Sequence, residues 1–560
     1  DGDALLQLLQ SIPASNIKSI ELITTPPASY DAEGVGGIIN IVLIKNLEEG
    51  MNGTASVNAG YGLRFKYGAN VDFNIRKGKW NIFADMGINN NYLQEDVTIV
   101  KTIQTQEGNE LFTDTYSSRP AYRGLLRGRL GADYSLSDKT TIGWLLSGYQ
   151  SNWDLDANTR TDILLDGAMV ENSSLRSLEG NDWKHWMTNV NLRHEFGNDW
   201  SIALDYDYLD FFNENPADYT DVITQADGSQ ETSEFISRKE NPIQFQVAKI
   251  DLRKSIKEGW NLEFGAKATI SDLENDNMVA DLVDGQQVIR ETYTNNIIMD
   301  ERIYAGYVST DYQLTEKTSV KAGLRYEYTD TELEDRGEPL TSREFGRFFP
   351  TLYLSHNIND DNSLQVSYSE RIQRPSLNVL APAFFFFSPN TLITGNPSIR
   401  ASTSRDLRVS YRYKSMMFTA NYGKEIRPMF WGQLDIVAED NLTVSRPENM
   451  EDGQRAFFWV GVPVKVTDWW ESRYNGGVAW QRQRPIVDGE LIPQESYFSI
   501  INSTQTFILG KEWALEVDGY IQTGMNYGLA QIPFQGQINF GLRKKFGNGS
   551  SLAVTWQDAF

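Results

Sequence analysis

Catalysis needs reactive groups that converge, and this chain of 560 residues offers few. It has no Cys, and its three His, at positions 185, 194 and 356, are far apart. A disulfide framework and a thiolate metal site are therefore excluded. No Gly-x-Ser-x-Gly elbow and no phosphate-cradling Gly-Lys-Ser/Thr turn is present. Carboxylate pairs such as Asp154 with Asp156, or Asp360 with Asp361, have the make-up of glycoside-cleaving acids. In a chain with 75 Asp and Glu residues such pairs arise by chance, and most of them fall in loops or turns. Acidic loops can also hold Ca²⁺, but no fixed calcium-loop spacing occurs. No catalytic residue, metal ligand or cofactor is expected. The residues left are aromatic. Trp153, Trp183 and Trp186 could stack on sugars or aromatic ligands, or anchor the chain at a membrane interface. Phe384, Phe385, Phe386 and Phe387 either fold inward against neighbouring loops or form an apolar floor for a ligand.

These candidates need elements to position them, and the elements read as strands. Val71, Phe73 and Ile75 alternate with Asp72 and Asn74, and Val320, Ala322, Leu324, Tyr326 and Tyr328 alternate with Lys321, Gly323, Arg325 and Glu327. Each such strand has one apolar and one polar face. Short and long connections take turns. The short ones are Arg76–Lys79, Ser137–Lys139, Gly197–Asp199, Lys257–Gly259, Thr315–Lys317, Asn359–Asp361, Tyr413–Ser415, Thr467–Asp468, Gly510–Lys511 and Gly547–Gly549. Long polar stretches such as Asn213–Pro242 and Asp276–Met299 read as loops between them. Short turns on one rim and long loops on the other are the asymmetry of an outer-membrane barrel. Two strands per short turn, plus the strand that follows residue 47, give about 21 strands.

Composition agrees with that architecture. No apolar run approaches the roughly 18 residues of a membrane helix, whereas barrel strands hide their apolar surface in alternation. Aromatic residues make up 12% of the chain, as interfacial girdles require. A net charge of -24 repels phosphate backbones, so nucleic acid is not an expected partner. Acidic outer loops are either solvated or meet divalent cations and lipopolysaccharide. A blade repeat of about 40 to 50 residues would indicate a propeller, and no such signature recurs.

Two stretches carry a family resemblance. Ile12-Pro13, Ile17, Ile20-Glu21 and then Tyr30-Asp31-Ala32-Glu33-Gly34-Val35-Gly36-Gly37-Ile38-Ile39-Asn40-Ile41 resemble the end of the plug domain of TonB-dependent outer-membrane receptors. The Tyr-Asp-Ala-Glu-Gly form is closest to the outer-membrane β-barrel branch found in Bacteroidetes. Far along the chain, Arg374-Pro375-Ser376 and Gly395-Asn396-Pro397-Ser398-Ile399 resemble the motifs flanking a long outer loop in the same receptors. Phe384 to Phe387 depart from the mixed polar-aromatic loop that is usual there.

The resemblance implies an all-β fold: a large antiparallel transmembrane β-barrel of about 22 strands, about 21 of them present, preceded by a plug remnant. Residues 1–47 would be the C-terminal part of the plug and 48–560 the barrel. Glu21, Gly34, Gly36, Gly37 and Asn40 would form the plug-barrel junction. The chain is expected to be cut at both ends, unless Phe560 is a natural terminal aromatic read by the barrel assembly machinery. Implied partners are the TonB-ExbB-ExbD energy-coupling complex, outer-membrane lipid and lipopolysaccharide, and in some receptors a surface lipoprotein. The implied function is energised import of a scarce solute such as a siderophore, glycan or peptide across the outer membrane of a Gram-negative bacterium. A passive outer-membrane channel and a surface adhesin or structural barrel remain as alternatives.

Overall fold

A computed structural model describes residues 17–23, 25–34, 38–43, 49–104, 108–382, 384–388, 391–437, 442–487, 490–527, 530–547 and 550–559. Gly36, Gly37, Phe560 and the stretch before Ile17 lie outside the described residues. Among the described residues an antiparallel sheet of 22 strands is rolled into a barrel. One of these, Gln286–Ile289, is a short outgrowth paired with Trp260–Val283, which leaves 21 that form the wall. They run from Gly50–Tyr61, paired with Phe65–Lys77, to Ser551–Trp556, paired with Gln535–Lys545. The ten short connections read from the sequence fall between wall strands on one rim, Asn548 and Gly549 of the last lying outside the described residues.

The strands are longer than a membrane requires. Glu110–Ser137, Ala168–Glu195 and Gln230–Lys257 have 28 residues each, whereas about 10 tilted residues cross the hydrocarbon. The surplus rises beyond the membrane on the side opposite the short turns. This overturns the reading of Asn213–Pro242 and Asp276–Met299 as loops. The first is a hairpin of Trp200–Gln225 with Gln230–Lys257, turning at residues 226–229, and the second is mostly wall strand as well. Outside the lipid both faces of a strand can be polar, so the apolar stripe that marks a strand in a sequence is missing although the backbone pairs as before.

The outward face shows the lipid band directly. Ile82, Met86 and Ile88 point outward on one strand, Ile142, Trp144 and Leu146 on another, and Leu204 and Tyr206 on a third. Next to the short turns a girdle of rings closes the band. Trp80 packs on Tyr134, Trp260 on Tyr312 and Trp470 on Phe507. Trp80, Trp200, Trp260, Trp470 and Trp513 each open a strand at this rim, where an amphipathic ring spans the step from lipid to water.

Four smaller sheets accompany the wall among the described residues, two of them the short hairpins Ile486–Val487 with Glu490–Leu491 and Met525–Tyr527 with Ala530–Ile532. Ile17–Ile23 pairs antiparallel with Ile38–Leu43. A four-stranded sheet, ordered Phe385–Ser388, Thr391–Ile393, Leu442–Asn449, Met429–Val437, has a parallel central pair. The short helical turn Leu377–Leu380 leads into it. Leu377, Leu380, Ala381 and Ile399 bury themselves against Leu273, Ile297, Met299 and Leu333 of the wall.

Large inward rings are accommodated by glycines on the neighbouring strand. Gly131 stands opposite Phe83 and Gly265 opposite Tyr307, and each ring occupies the space where the glycine's Cβ would be. Gly131→Ala and Gly265→Ala should each destabilise the barrel by about 1–3 kcal/mol through overpacking. The check is the temperature at which the compact, fast-migrating form is lost on a denaturing gel, which should fall in both variants.

Candidate functional site

The N-terminal segment meets the inner wall through a network of charges. Inward-facing positions alternate along Thr318–Asp335, which puts Arg325 and Glu327 on the lumen side. Both side chains are 2% exposed. Charges so deeply buried must be paired and hydrogen-bonded, and here the partners come from the N-terminal segment and from the far motif. The Arg325 Nε donates to Glu327 Oε1 at 2.6 Å and its Nη2 donates to Asp31 Oδ1 at 2.8 Å. Lys267 holds the other Asp31 oxygen. Glu327 Oε1 also accepts from the backbone N–H of Ala32 at 3.1 Å, and its Oε2 accepts from Arg374 Nη2 at 2.7 Å. Arg374 reaches back to the segment as well, donating from Nη1 to Glu33 Oε2 at 2.9 Å and from its backbone N–H to Glu33 Oε1 at 2.9 Å.

Backbone bonds fix the register. Ile372 donates to Ala32 O and Gly34 donates to Ile372 O, both at 2.9 Å, in a parallel bridge centred on Glu33. The Arg371 guanidinium caps this bridge, donating to the carbonyls of Gly34 at 3.1 Å and Glu33 at 3.0 Å. Gly34 has a φ of +92°, a backbone conformation that suits glycine because it has no Cβ. Thr25 adds a hydroxyl contact to Ser367 at 2.8 Å. The two motif stretches quoted from the sequence, some 340 residues apart, are therefore each other's partners. Asp31, Glu33 and Arg374 lie inside those stretches and Arg371 three residues before the second, but the sequence alone does not state their pairing. Opposite charge in the two stretches was the available signal.

The other junction residues form a smaller contact. Glu21 and Asn40 face each other in the two-stranded sheet, with Asn40 Nδ2 donating to Glu21 Oε2 at 2.9 Å.

Toward the mouth the phenylalanines split. Phe386 is buried among Leu175, Ala217, Tyr219, Phe235, Val279 and Leu392, with ring centroids 5.0 Å from Phe235 and 5.8 Å from Tyr219. Phe384 meets Tyr293 at 4.8 Å. Phe385 and Phe387 lie 6.0 and 5.4 Å from the Arg119 guanidinium, within cation–π range. The Trp residues are not gathered with them. Trp153 packs on Ala121, Leu155 and Ala157, and Trp183 stands opposite Ser151 and Asn213 in the wall. Trp186 points outward, 45% exposed and beside Tyr208. All three sit mid-strand, because the strands continue well past them.

Beside Arg119 lies Glu179, 6% exposed. It stands 16 residues above the rim end of its strand at Glu195. At about 3.3 Å per residue and a tilt of about 40°, that is some 40 Å up, clear of an apolar band about 25 Å tall. Burial raises its pKa to about 7, although Arg119 pulls the other way. The folded state then holds the proton more tightly than the unfolded chain, so this group's contribution to stability falls as pH rises from about 4.5 to about 7. Glu179→Gln should therefore be the more stable form above pH 7, by up to about 3 kcal/mol, with the difference closing below pH 5. Thermal unfolding across that pH range checks the sign.

For the charge network, Glu33→Gln and Arg374→Met should couple in a double-mutant cycle by about 1–3 kcal/mol, read from thermal unfolding. A coupling near zero would mean that the pair contributes nothing to holding the segment.

Solved structures with the same fold are outer-membrane receptors. The ferric enterobactin receptor of Pseudomonas aeruginosa superposes with a TM-score of 0.62 at 12% identity, over 98% of this chain and 81% of that one. The siderophore receptor PirA of the same organism gives 0.53 at 11%, over 98% and 84%. The alcaligin receptor FauA of Bordetella pertussis gives 0.52 at 12%, over 97% and 80%. At such identities the likeness is one of fold. No curated protein matches the sequence. Residues 194–560 match the model of the outer membrane protein beta-barrel family. A lipid-facing apolar band, a girdle of rings, short turns on one rim and a match over most of the chain agree: this is an outer-membrane protein and belongs to that β-barrel family.

Proposed function

We propose that the chain is a TonB-dependent receptor that imports a scarce solute, with residues 1–47 as the end of a plug domain and 48–560 as the barrel. The observation that carries this reading is the charged anchorage of Asp31 and Glu33 inside the lumen by Lys267, Arg325, Arg371 and Arg374. A passive channel gains nothing from a segment clamped within its bore. A gate needs one that is held firmly at rest and can still be pulled away. Ion pairs suit that demand, because each partner released can be solvated by entering water, whereas a large apolar contact would have to be exposed all at once.

In this reading the segment around Gly34, Gly36, Gly37 and Asn40 transmits tension to the lumen wall. The pull comes from the TonB-ExbB-ExbD complex, acting on more N-terminal plug residues. Solute arrives from the mouth, where Phe385 and Phe387 with Arg119 offer one recognition surface, and Trp186 anchors the outer wall in the interface. The siderophore receptors of similar fold support a receptor of this kind without naming its solute.

The test is uptake in cells carrying the full-length gene, with and without the coupling complex, across iron chelates, glycans and peptides. One class should be taken up, and only when the complex is present. Arg374→Met should loosen the resting hold and admit leak of small antibiotics excluded by the wild type. Uptake that persists without the complex would replace this reading with a passive channel.

A further inference from the structure

Above the Glu33–Arg374 pair the lumen wall encloses a cavity of about 480 Å³. It is bounded by Gln373, Arg374 and Ser376 on one side, by Gly423, Glu425, Gly453 and Arg455 on the next strands, and by Gln481, Gln483 and Tyr527 beyond. We infer that this cavity takes a short, uncharged, hydroxyl-rich ligand, an oligosaccharide of about two or three sugar units by volume, and not an anionic metal chelate. The inference rests on the import reading only in assigning such a sugar as the solute.

Charge decides against a chelate. Arg374 is already held by Glu33 at 2.9 Å and by Glu327 at 2.7 Å. Arg455 is held by Asp406 at 2.9 Å and by Glu425 at 3.7 Å. Both cations in the lining are thus neutralised by carboxylates, two apiece, and the chain around them carries a net charge of -24. A multiply anionic ligand would have to strip a carboxylate from one of these arginines and leave it unpaired in a confined space, which is costly. A zwitterionic peptide meets the same difficulty at each end.

The uncharged lining favours a sugar. Gln373, Gln481 and Gln483 place amide groups on adjacent parts of the wall; Gln481 already donates to the Asn526 carbonyl, and its own carbonyl can still accept from a hydroxyl. Tyr527 is set edge to face on the buried Phe430 at 5.4 Å, which steadies its ring as a stacking surface for a pyranose. Met429 and Met450 supply adaptable apolar contact beside it.

The test is calorimetric binding with the purified full chain in detergent, independent of the coupling complex. The probes are neutral trisaccharides of α-1,4-glucan, β-1,4-glucan and β-1,4-xylan, a ferric tris-catecholate, and tetra-alanine. At least one saccharide should bind, and Tyr527→Ala and Gln483→Leu should each weaken it about tenfold while the variants keep wild-type migration as folded barrels on a gel. Failure of every saccharide to bind the folded wild type overturns the inference. So does binding of the chelate or the peptide that the same two substitutions weaken. Saccharide binding together with uptake that ignores the coupling complex would uphold the inference and sink energised import.

Discussion

In hydrocarbon no backbone N–H or C=O can turn to water, so every one must find a partner within the protein. A sheet rolled into a barrel meets that demand, and most other features of this chain follow from it. Strands must alternate apolar residues toward lipid with polar residues toward the lumen. Neighbours must be antiparallel, because tight turns on one rim leave no chain for a crossover. Rings collect at the rim where lipid gives way to headgroups. Once the wall has this form its bore is lined with polar and charged side chains that need partners of their own.

The network around Arg325 and Glu327 is one solution to that second demand. Within the barrel alone, Arg325 has Glu327, and Glu327 has Arg374. Asp31 and Glu33 bring two further carboxylates, and Lys267 and Arg371 complete the set. The segment is thus held by the need of buried charges for partners, reinforced by the backbone bridge at Ile372. The same arginine that meets Glu33 introduces the chain that folds over the mouth, so Arg374 stands at the point where the gate, the mouth loop and the cavity beside Gln483 come together.

Apolar packing governs the mouth instead. The motif Gly395-Asn396-Pro397-Ser398 acts as a clasp: Asn396 is buried, donates to Pro447 O at 3.0 Å, and accepts from Ser398 N at 3.0 Å. It presses the loop down so that Phe386 and Leu392 seat against wall residues above the membrane. The wall there carries Leu175, Tyr219, Phe235 and Val279 among buried polar residues such as Ser173, Ser177 and Asp221, so the apolar contact is a local patch on an otherwise polar inner face.

The sequence by itself determined the strand alternation, all ten short turns and hence the class of fold, because each is a local property: period two within a strand, and turn residues between strands. It also located both motif stretches, though not the bond between them. Its period failed where the lipid ends, and there Asn213–Pro242 passed for a loop. Only the tertiary structure decided that Glu33 meets Arg374 across 341 positions, that Phe386 turns into the wall while Phe385 and Phe387 flank Arg119, and that Trp153 and Trp186 face opposite sides of the sheet. The physical reason is that pairing of charges and rings depends on which strands curl into proximity around the bore. Nothing in the order of residues along the chain states that distance.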